Sequence, residues 1–258
     1  MLSFYPITIK MFSNMHWNKR FNYPTSNRVT INGSRYYNIN DTKLPSVTEI
    51  LKATESEEKR NSLLKWRNKV GDEEANRIMT TSSKRGTQMH KHIEEYLIGQ
   101  SDIQLTSKLS ESKLMSNKII SNGLCNLDEL WGAEVTVCFP ELYAGTVDAC
   151  GLYNGKESIL DFKQSNKPKK REWIDDYFLQ IAAYGLAHNK IYSTDISQGV
   201  ILVCTPPPDN KCPSVSVVYV DIDFFLPITL GNCFLIENQF RLWNVVIGCL
   251  LYTSDAAD

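Results

Sequence analysis

Apolar and polar positions along this chain change their period about midway. In the first half, apolar residues recur every three to four positions through 57–70, 72–80, 85–98 and 107–122, the spacing of helices with one buried face. A further helix opens at Pro45-Ser46-Val47-Thr48-Glu49, where Ser46 is placed to cap free N–H groups and Glu49 to return the capping-box bond. The second half reads as strands at 133–139, 145–153, 156–163, 199–204 and 215–222. Between the third and fourth of these, 171–189 carries Ile174, Phe178, Ile181, Ala182 and Leu186 at helical spacing. The order of helix, three strands, helix, strand predicts an α/β fold with a mixed central sheet flanked by helices and a helical N-terminal half.

Two Asn-Gly pairs punctuate the strands. Asn32-Gly33 predicts a short hairpin, and Asn154-Gly155 a two-residue turn in which both residues accept positive φ. Such a turn fixes register: Tyr153 faces Lys156, and stepping outwards sets Asp148 opposite Asp161 and Thr146 opposite Lys163. Opposed side chains have Cβ atoms about 4.5–5.5 Å apart, so two facing carboxylates repel unless a cation lies between them. The other face of the hairpin carries Val147, Ala149, Leu160 and Phe162, a face suited to burial. Lys163 shares the face of Asp161, where its ammonium can approach a water or phosphate oxygen. Oxygen donors of this kind suit Mg²⁺, with Mn²⁺ as a substitute.

Flanking segments add candidates, each with two readings. His90 and Glu94 stand four apart on one helical face, as a metal ligand with a carboxylate that orients its ring or as an exposed polar face; His92 points elsewhere, to the surface. Glu134 is either a further acid near the metal or a charge at the sheet edge. Gln180 and Tyr184, also four apart, sit on a face that is turning apolar, where Gln180 can bond an active-site group or remain a surface amide. The loop after Lys163 holds Lys167, Lys169, Lys170 and Arg171, a set suited to gripping a nucleic-acid backbone by charge. Trp173 and Tyr177 nearby fit stacking on unpaired bases or burial.

Composition narrows the picture. The 42% hydrophobic and 22% charged residues are ordinary, no apolar run has membrane-spanning length, and 1–10 lacks a secretory pattern. Seven cysteines without a C-x-x-C pair fit a reducing intracellular compartment and argue against structural zinc or an iron–sulfur cluster. The net charge of −1 exerts no global pull on nucleic acid, but 1–43 form a basic, aromatic-rich arm whose Lys10, Lys19, Arg20, Arg28, Arg35 and Lys43 stand against Asp41 alone. Such an arm suits phosphates as well as it suits a solvated extension. Patterning fades over 224–248, and 249–258 resemble the translation of a sequencing-library adapter.

Gly86-Thr-Gln-Met-His90-Lys-His-Ile-Glu94, Gly145-Thr-Val-Asp148, Asp161-Phe-Lys163 and Gln180-Ile-Ala-Ala-Tyr184, in that order, resemble the motifs of the PD-(D/E)xK nuclease superfamily. Within it they are most similar to the RecB-like exonucleases of phages and of mitochondrial genome maintenance. The likeness covers 44–223, and Leu44-Pro-Ser-Val-Thr-Glu-Ile-Leu51 is similar to the opening of the phage-type members. It implies an α-β-β-β-α-β, restriction-endonuclease-like core. It also implies Mg²⁺ held by His90, Asp148, Asp161 and the Phe162 backbone carbonyl, with Lys163 assisting the attacking water. Asp148, Asp161, Lys163 and Gln180 are then the catalytic set, with Glu94 and Tyr184 in support. The expected activity is an exonuclease on single-stranded DNA or DNA ends, in the cytoplasm of a bacterial cell or phage-infected host. The alternatives are a structure- or sequence-specific endonuclease of the same superfamily and a DNA-binding module without chemistry. No P-loop pattern is present to drive a helicase.

Overall fold

The computed structural model describes residues 16–100, 109–207 and 212–225, together with 229 and 231. The weakly patterned stretch beyond 231 and the adapter-like tail lie outside the described residues. A short strand β1 (His16–Trp17) precedes a small antiparallel sheet of β2 (Asn27–Ile31), β3 (Ser34–Ile39) and β4 (Thr42–Pro45). Four helices follow, α1 (Val47–Ala53), α2 (Glu57–Val70), α3 (Asp72–Leu97) and α4 (Glu111–Asn122). The remaining elements are β5 (Leu127–Phe139), β6 (Tyr143–Tyr153), β7 (Lys156–Gln164), α5 (Asp175–Tyr192), β8 (Gln198–Thr205) and β9 (Ser214–Asp221). The central mixed sheet has six strands in the order β1-β5-β6-β7-β8-β9. Strands β5, β6 and β7 run antiparallel, whereas β7 and β8 run parallel and need α5 as their crossover. None of the described helices is long and apolar enough to cross a membrane.

Local chemistry explains most of these elements. Ser46 caps α1, its hydroxyl accepting from the Glu49 N–H at 3.2 Å. The reciprocal capping-box bond does not form, because the Ser46 N–H donates instead to the Arg35 carbonyl at 3.1 Å and ties the small sheet to α1. Ser56 and Ser110 cap α2 and α4 in the same way. The two helices expected at 72–80 and 85–98 are one, α3, since nothing in the linking residues interrupts its hydrogen bonds. Gly86, its weakest helix former, stands where a Cβ would lie 3.3 Å from Cγ of Gln164, so the missing side chain lets α3 approach the end of β7. Helix α5 starts at Asp175 rather than 171, after a single 3₁₀ turn over Arg171–Trp173.

The sheet is covered on both faces. Residues of α5 and α1, such as Phe178, Ile181 and Ile50, pack on one with Trp131, Val147 and Ile201. On the other, Met89, Ile93 and Met115 of α3 and α4 pack with Ala149, Leu160 and Phe162. The face expected to hold Val147, Ala149, Leu160 and Phe162 together is therefore divided, with Val147 on the α5 side and the other three on the α3–α4 side.

The cause of that division lies at Asp148. Asn154 and Gly155 adopt the left-handed conformations of a tight turn (φ 52° and 71°), and the ladder runs from Tyr153↔Lys156 to Ala149↔Leu160 as the turn requires. It ends there, one step short of Asp148 and Asp161. The Phe162 N–H donates to Asp148 Oδ2 at 2.6 Å, a side chain taking a place that a main-chain carbonyl fills elsewhere in the ladder. Beyond this point β7 follows β8, pairing Lys163 with Val203, while Thr146 of β6 pairs with Thr136 of β5. The expected opposition of Thr146 and Lys163 is consequently not made. On the far side of β6, Ala133↔Ala149 and Val135↔Val147 bracket Glu134, which faces Asp148 with a φ of 50°. A left-handed backbone costs a residue with a Cβ roughly 1–2 kcal/mol, and it shifts the side-chain alternation of β5 at this residue.

Register on the β5 side of β6 depends on close main-chain approach at Gly151, where a Cβ would lie 1.9 Å from the Glu129 carbonyl oxygen. Gly151→Ala is expected to lower unfolding stability by at least about 2 kcal/mol in urea denaturation, because a backbone obstacle cannot swing aside as a side chain does. An unchanged urea midpoint would contradict this register.

Candidate functional site

The break in the sheet gathers polar groups from both flanking layers. Met89, Ile93 and Leu97 bury one side of α3 and so fix the direction of His90. Its Nδ1 lies 3.3 Å from Asp148 Oδ1 and 3.9 Å from Glu134 Oε1. One ligand atom from each of His90, Glu134 and Asp148 falls within 4.8 Å of the other two. Burial alone would make His90 harder to protonate, but the charge of Asp148, with Glu134 adding to it, outweighs burial and raises the imidazole to about 10. Burial likewise pushes the Asp148 carboxyl up, and His90, Lys163 and the Phe162 N–H together bring it below its usual value.

Beside this cluster, Asp161 lies almost wholly inside the protein, 2% exposed. Lys163 Nζ donates to its Oδ1 at 2.7 Å and to Gln180 Oε1 at 3.1 Å. Gln180 in turn donates from Nε2 to the Tyr184 hydroxyl at 3.0 Å. The Tyr184 ring rests on Gly145, where a Cβ would come within 2.3 Å of it, which accounts for a glycine at that position. Lys163 also lies 5.2 Å from the Tyr177 ring centroid, a cation–π contact. Burial raises the Asp161 carboxyl to about 6, the Asp148 charge adding to the effect against the pull of Lys163. Asp161 Oδ2 touches Lys163 Nζ at 2.6 Å but outside hydrogen-bond geometry, and it finds no hydrogen-bond partner. The convergence of two carboxylates and one imidazole, with Asp161 beside them, fits a divalent cation.

A cleft of about 510 Å³ opens over the His90, Glu134 and Asp148 cluster, with Asp161 and Lys163 behind its lining. His90, Glu134, Asp148, Gln180 and Tyr184 line it, so residues from α3, β5, β6 and α5 share one space. Glu94 also lines it, but its carboxyl forms no bond to His90 among the described residues; burial raises it, with the charges of Glu134 and Glu95 adding to the shift. Phe162 presents its N–H to Asp148 and its ring to the core, 6.2 Å from the His90 ring centroid. His92, expected at the surface, is half-buried, with Nδ1 3.5 Å from Glu95 Oε2.

The loop basics fall elsewhere. Lys167, Lys169, Lys170 and Arg171 are exposed, and none lines the cleft. Lys170 covers the Trp173 ring and pairs with Glu172 at 3.9 Å, while Arg171 packs 3.7 Å from the Phe178 ring centroid and pairs with Asp175. The basic residues that do line it are Arg28, Arg35 and Lys91. Arg28 and Arg35 were visible in the sequence only as part of a basic arm; the Asn32-Gly33 turn sets them on one face of a hairpin, but where that hairpin docks depends on distant contacts.

No family model matches the chain. It is similar to mitochondrial genome maintenance exonuclease 1 of Xenopus tropicalis, 28% identical over 170 residues that make up 62% of this chain and 48% of that protein. The mouse protein of the same name, from Mus musculus, is 29% identical over 169 residues (62% and 49%), and the Homo sapiens protein 27% over 172 (62% and 48%). The chain thus spans about half the length of the curated relatives it matches. These distant likenesses support a nuclease family.

The carboxylates, mutually repelling without a cation, predict a response to metal. MnCl₂ is expected to raise the thermal unfolding midpoint, since an ion at a hundredfold excess over its Kd stabilises the folded state by about 2.7 kcal/mol. Asp148→Asn is expected to lose most of that increment in the same thermal scan. An increment of equal size in both proteins would place the ion outside this cluster.

Proposed function

We propose that this chain is a metal-dependent DNA exonuclease of the PD-(D/E)xK superfamily, RecB-like in type, acting on single strands or ends in replication, recombination or repair. The reading is carried by one observation. His90, Glu134 and Asp148 bring ligand atoms within 4.8 Å of one another, and beside them Lys163 is held by Asp161 and Gln180. The exonuclease name shared by the relatives at 27–29% identity supports it.

In this reading His90, Asp148, Asp161 and the Phe162 carbonyl hold Mg²⁺, or Mn²⁺ in its place, with Glu134 as a further carboxylate. A divalent cation held there lowers the pKa of its water and stabilises charge growing on a phosphodiester. The protein's own part is preorganisation. The Phe162 N–H fixes Asp148 Oδ2 and leaves Oδ1 facing the cluster. Asp161 and Gln180 aim the Lys163 ammonium, a donor for the attacking water or a phosphate oxygen, and Tyr184 keeps Gln180 in place. Glu94 adds negative charge at the cleft wall. Lys167, Lys169, Lys170 and Arg171, away from the cleft, hold more distant phosphates.

End-labelled DNA, linear and circular, tests this with Mg²⁺ in the presence and absence of chelator. Linear single strands are expected to be shortened and circles to survive, with activity abolished by chelator. Asp161→Ala and Lys163→Ala are each expected to lose at least about 100-fold in kcat, the scale of removing one preorganised charge-stabilising group. Cleaved circles would favour an endonuclease. Chelator-resistant cleavage, or full activity in either variant, would overturn the mechanism, and binding without any cleavage would leave a silent DNA-binding module.

A further inference from the structure

We propose that Arg28 and Arg35, on the β2–β3 hairpin, form a phosphate-binding subsite that seats the DNA backbone in the cleft shared with Glu134 and Asp148. The inference rests on the nuclease reading above and extends it to residues that precede all four nuclease-like motifs.

Register places the two arginines together. Arg28 pairs with Tyr37 and Thr30 with Arg35, so the arginines are diagonal neighbours on one face of the hairpin, roughly 7–8 Å apart at the backbone. That face is anchored to the central sheet. Tyr37 is buried, and its hydroxyl shares a hydrogen bond with the Thr146 hydroxyl at 3.1 Å. Arg28 Nη2 donates to the same Thr146 oxygen at 3.3 Å, two residues before Asp148 on β6. At the other end, the Ser46 N–H holds the Arg35 carbonyl. The hairpin is therefore a wall of the site rather than a free arm.

Charge supplies the second half of the argument. Arg67, Arg77, Arg85 and Arg171 each pair with a carboxylate. Arg20, Arg28, Arg35 and Arg60 pair with none among the described residues, and of these only Arg28 and Arg35 line the cleft, beside Glu94, Glu134 and Asp148. The cleft thus gathers carboxylates suited to a cation, and the hairpin that lines it beside Thr146 carries two guanidinium groups without an ion pair. A phosphodiester chain, anionic throughout and held at the reacting point by a cation, matches both features at once. Guanidinium contacts to non-bridging oxygens position a strand without reading its bases.

Binding of a fluorescein-labelled oligo(dT) strand, followed by anisotropy in CaCl₂ over a series of KCl concentrations, tests the subsite. Arg28→Gln and Arg35→Gln are each expected to weaken Kd by about tenfold or more. Each should also flatten the slope of log K against log[KCl] by about 0.7, the loss of one single-strand phosphate contact. Arg28→Lys is expected to restore the slope, and Arg77→Gln, which removes an equal charge from an ion pair on α3, should leave Kd and slope as they were. In Mg²⁺ kinetics the two glutamine variants should raise KM with kcat within about twofold of the unaltered chain. Wild-type Kd and slope in both glutamine variants, absence of DNA binding by the unaltered chain, or an equal loss in Arg77→Gln would overturn the subsite. Binding with the predicted slopes but no cleavage in Mg²⁺ or Mn²⁺ would instead sink the nuclease reading and leave the subsite standing.

Discussion

The Phe162 amide needs an acceptor, and β6 supplies it with the carboxylate of Asp148 rather than with a carbonyl. A buried N–H must be satisfied, and a charged acceptor satisfies it more strongly than a neutral one. The substitution has a geometric price, because a side chain reaches further than a carbonyl and the two strands part. Much of the remaining architecture follows from that parting. Past it β7 keeps its pairing with β8, the alternation of β6 divides between two cores, and α3 and α5 look into one cleft from opposite sides of the sheet.

Electrostatics gives the gap its character. Three carboxylates, Glu134, Asp148 and Asp161, come from three neighbouring strands, and the protein compensates them with His90 and Lys163. The Asp148 charge raises His90 against the cost of burial, and Lys163 lies against both oxygens of Asp161, with a hydrogen bond to Oδ1 alone. The strained backbone of Glu134 lies in the same cluster. Strain and shifted ionisation in one place mark a site organised for a partner rather than for stability alone.

Much of this was legible in the sequence for definite reasons. Asn154-Gly155 admits one turn, and that turn sets the register as expected from Tyr153↔Lys156 to Ala149↔Leu160, one step short of Asp148 and Asp161. Helix α2 matches its periodicity from Glu57 to Val70, and Ser46 caps where its spacing predicts. The end of the ladder was not legible, because periodicity cannot show a side chain displacing a carbonyl. The positive φ of Glu134 was hidden for a related reason: glutamate carries no preference for that conformation, which the surrounding sheet imposes. The expected gap at 81–84 is absent, and Gly86 within the continuous α3 serves close packing against Gln164. Charge in the loop at 167–171 outweighed the hairpin arginines in composition, yet Lys170 and Arg171 are engaged by local partners and Arg28 and Arg35 face the cleft.

The central claim is that the gap between β6 and β7 exists to hold a cation at these carboxylates. Anomalous diffraction from crystals of the protein soaked in MnCl₂ tests it directly. The account predicts a manganese peak bonded to Asp148, with ligands drawn from His90, Asp161, the Phe162 carbonyl and Glu134, at the roughly 2.0–2.2 Å typical of small divalent ions with oxygen and imidazole donors. A peak bound only at other residues, or no peak at saturating metal, would contradict it.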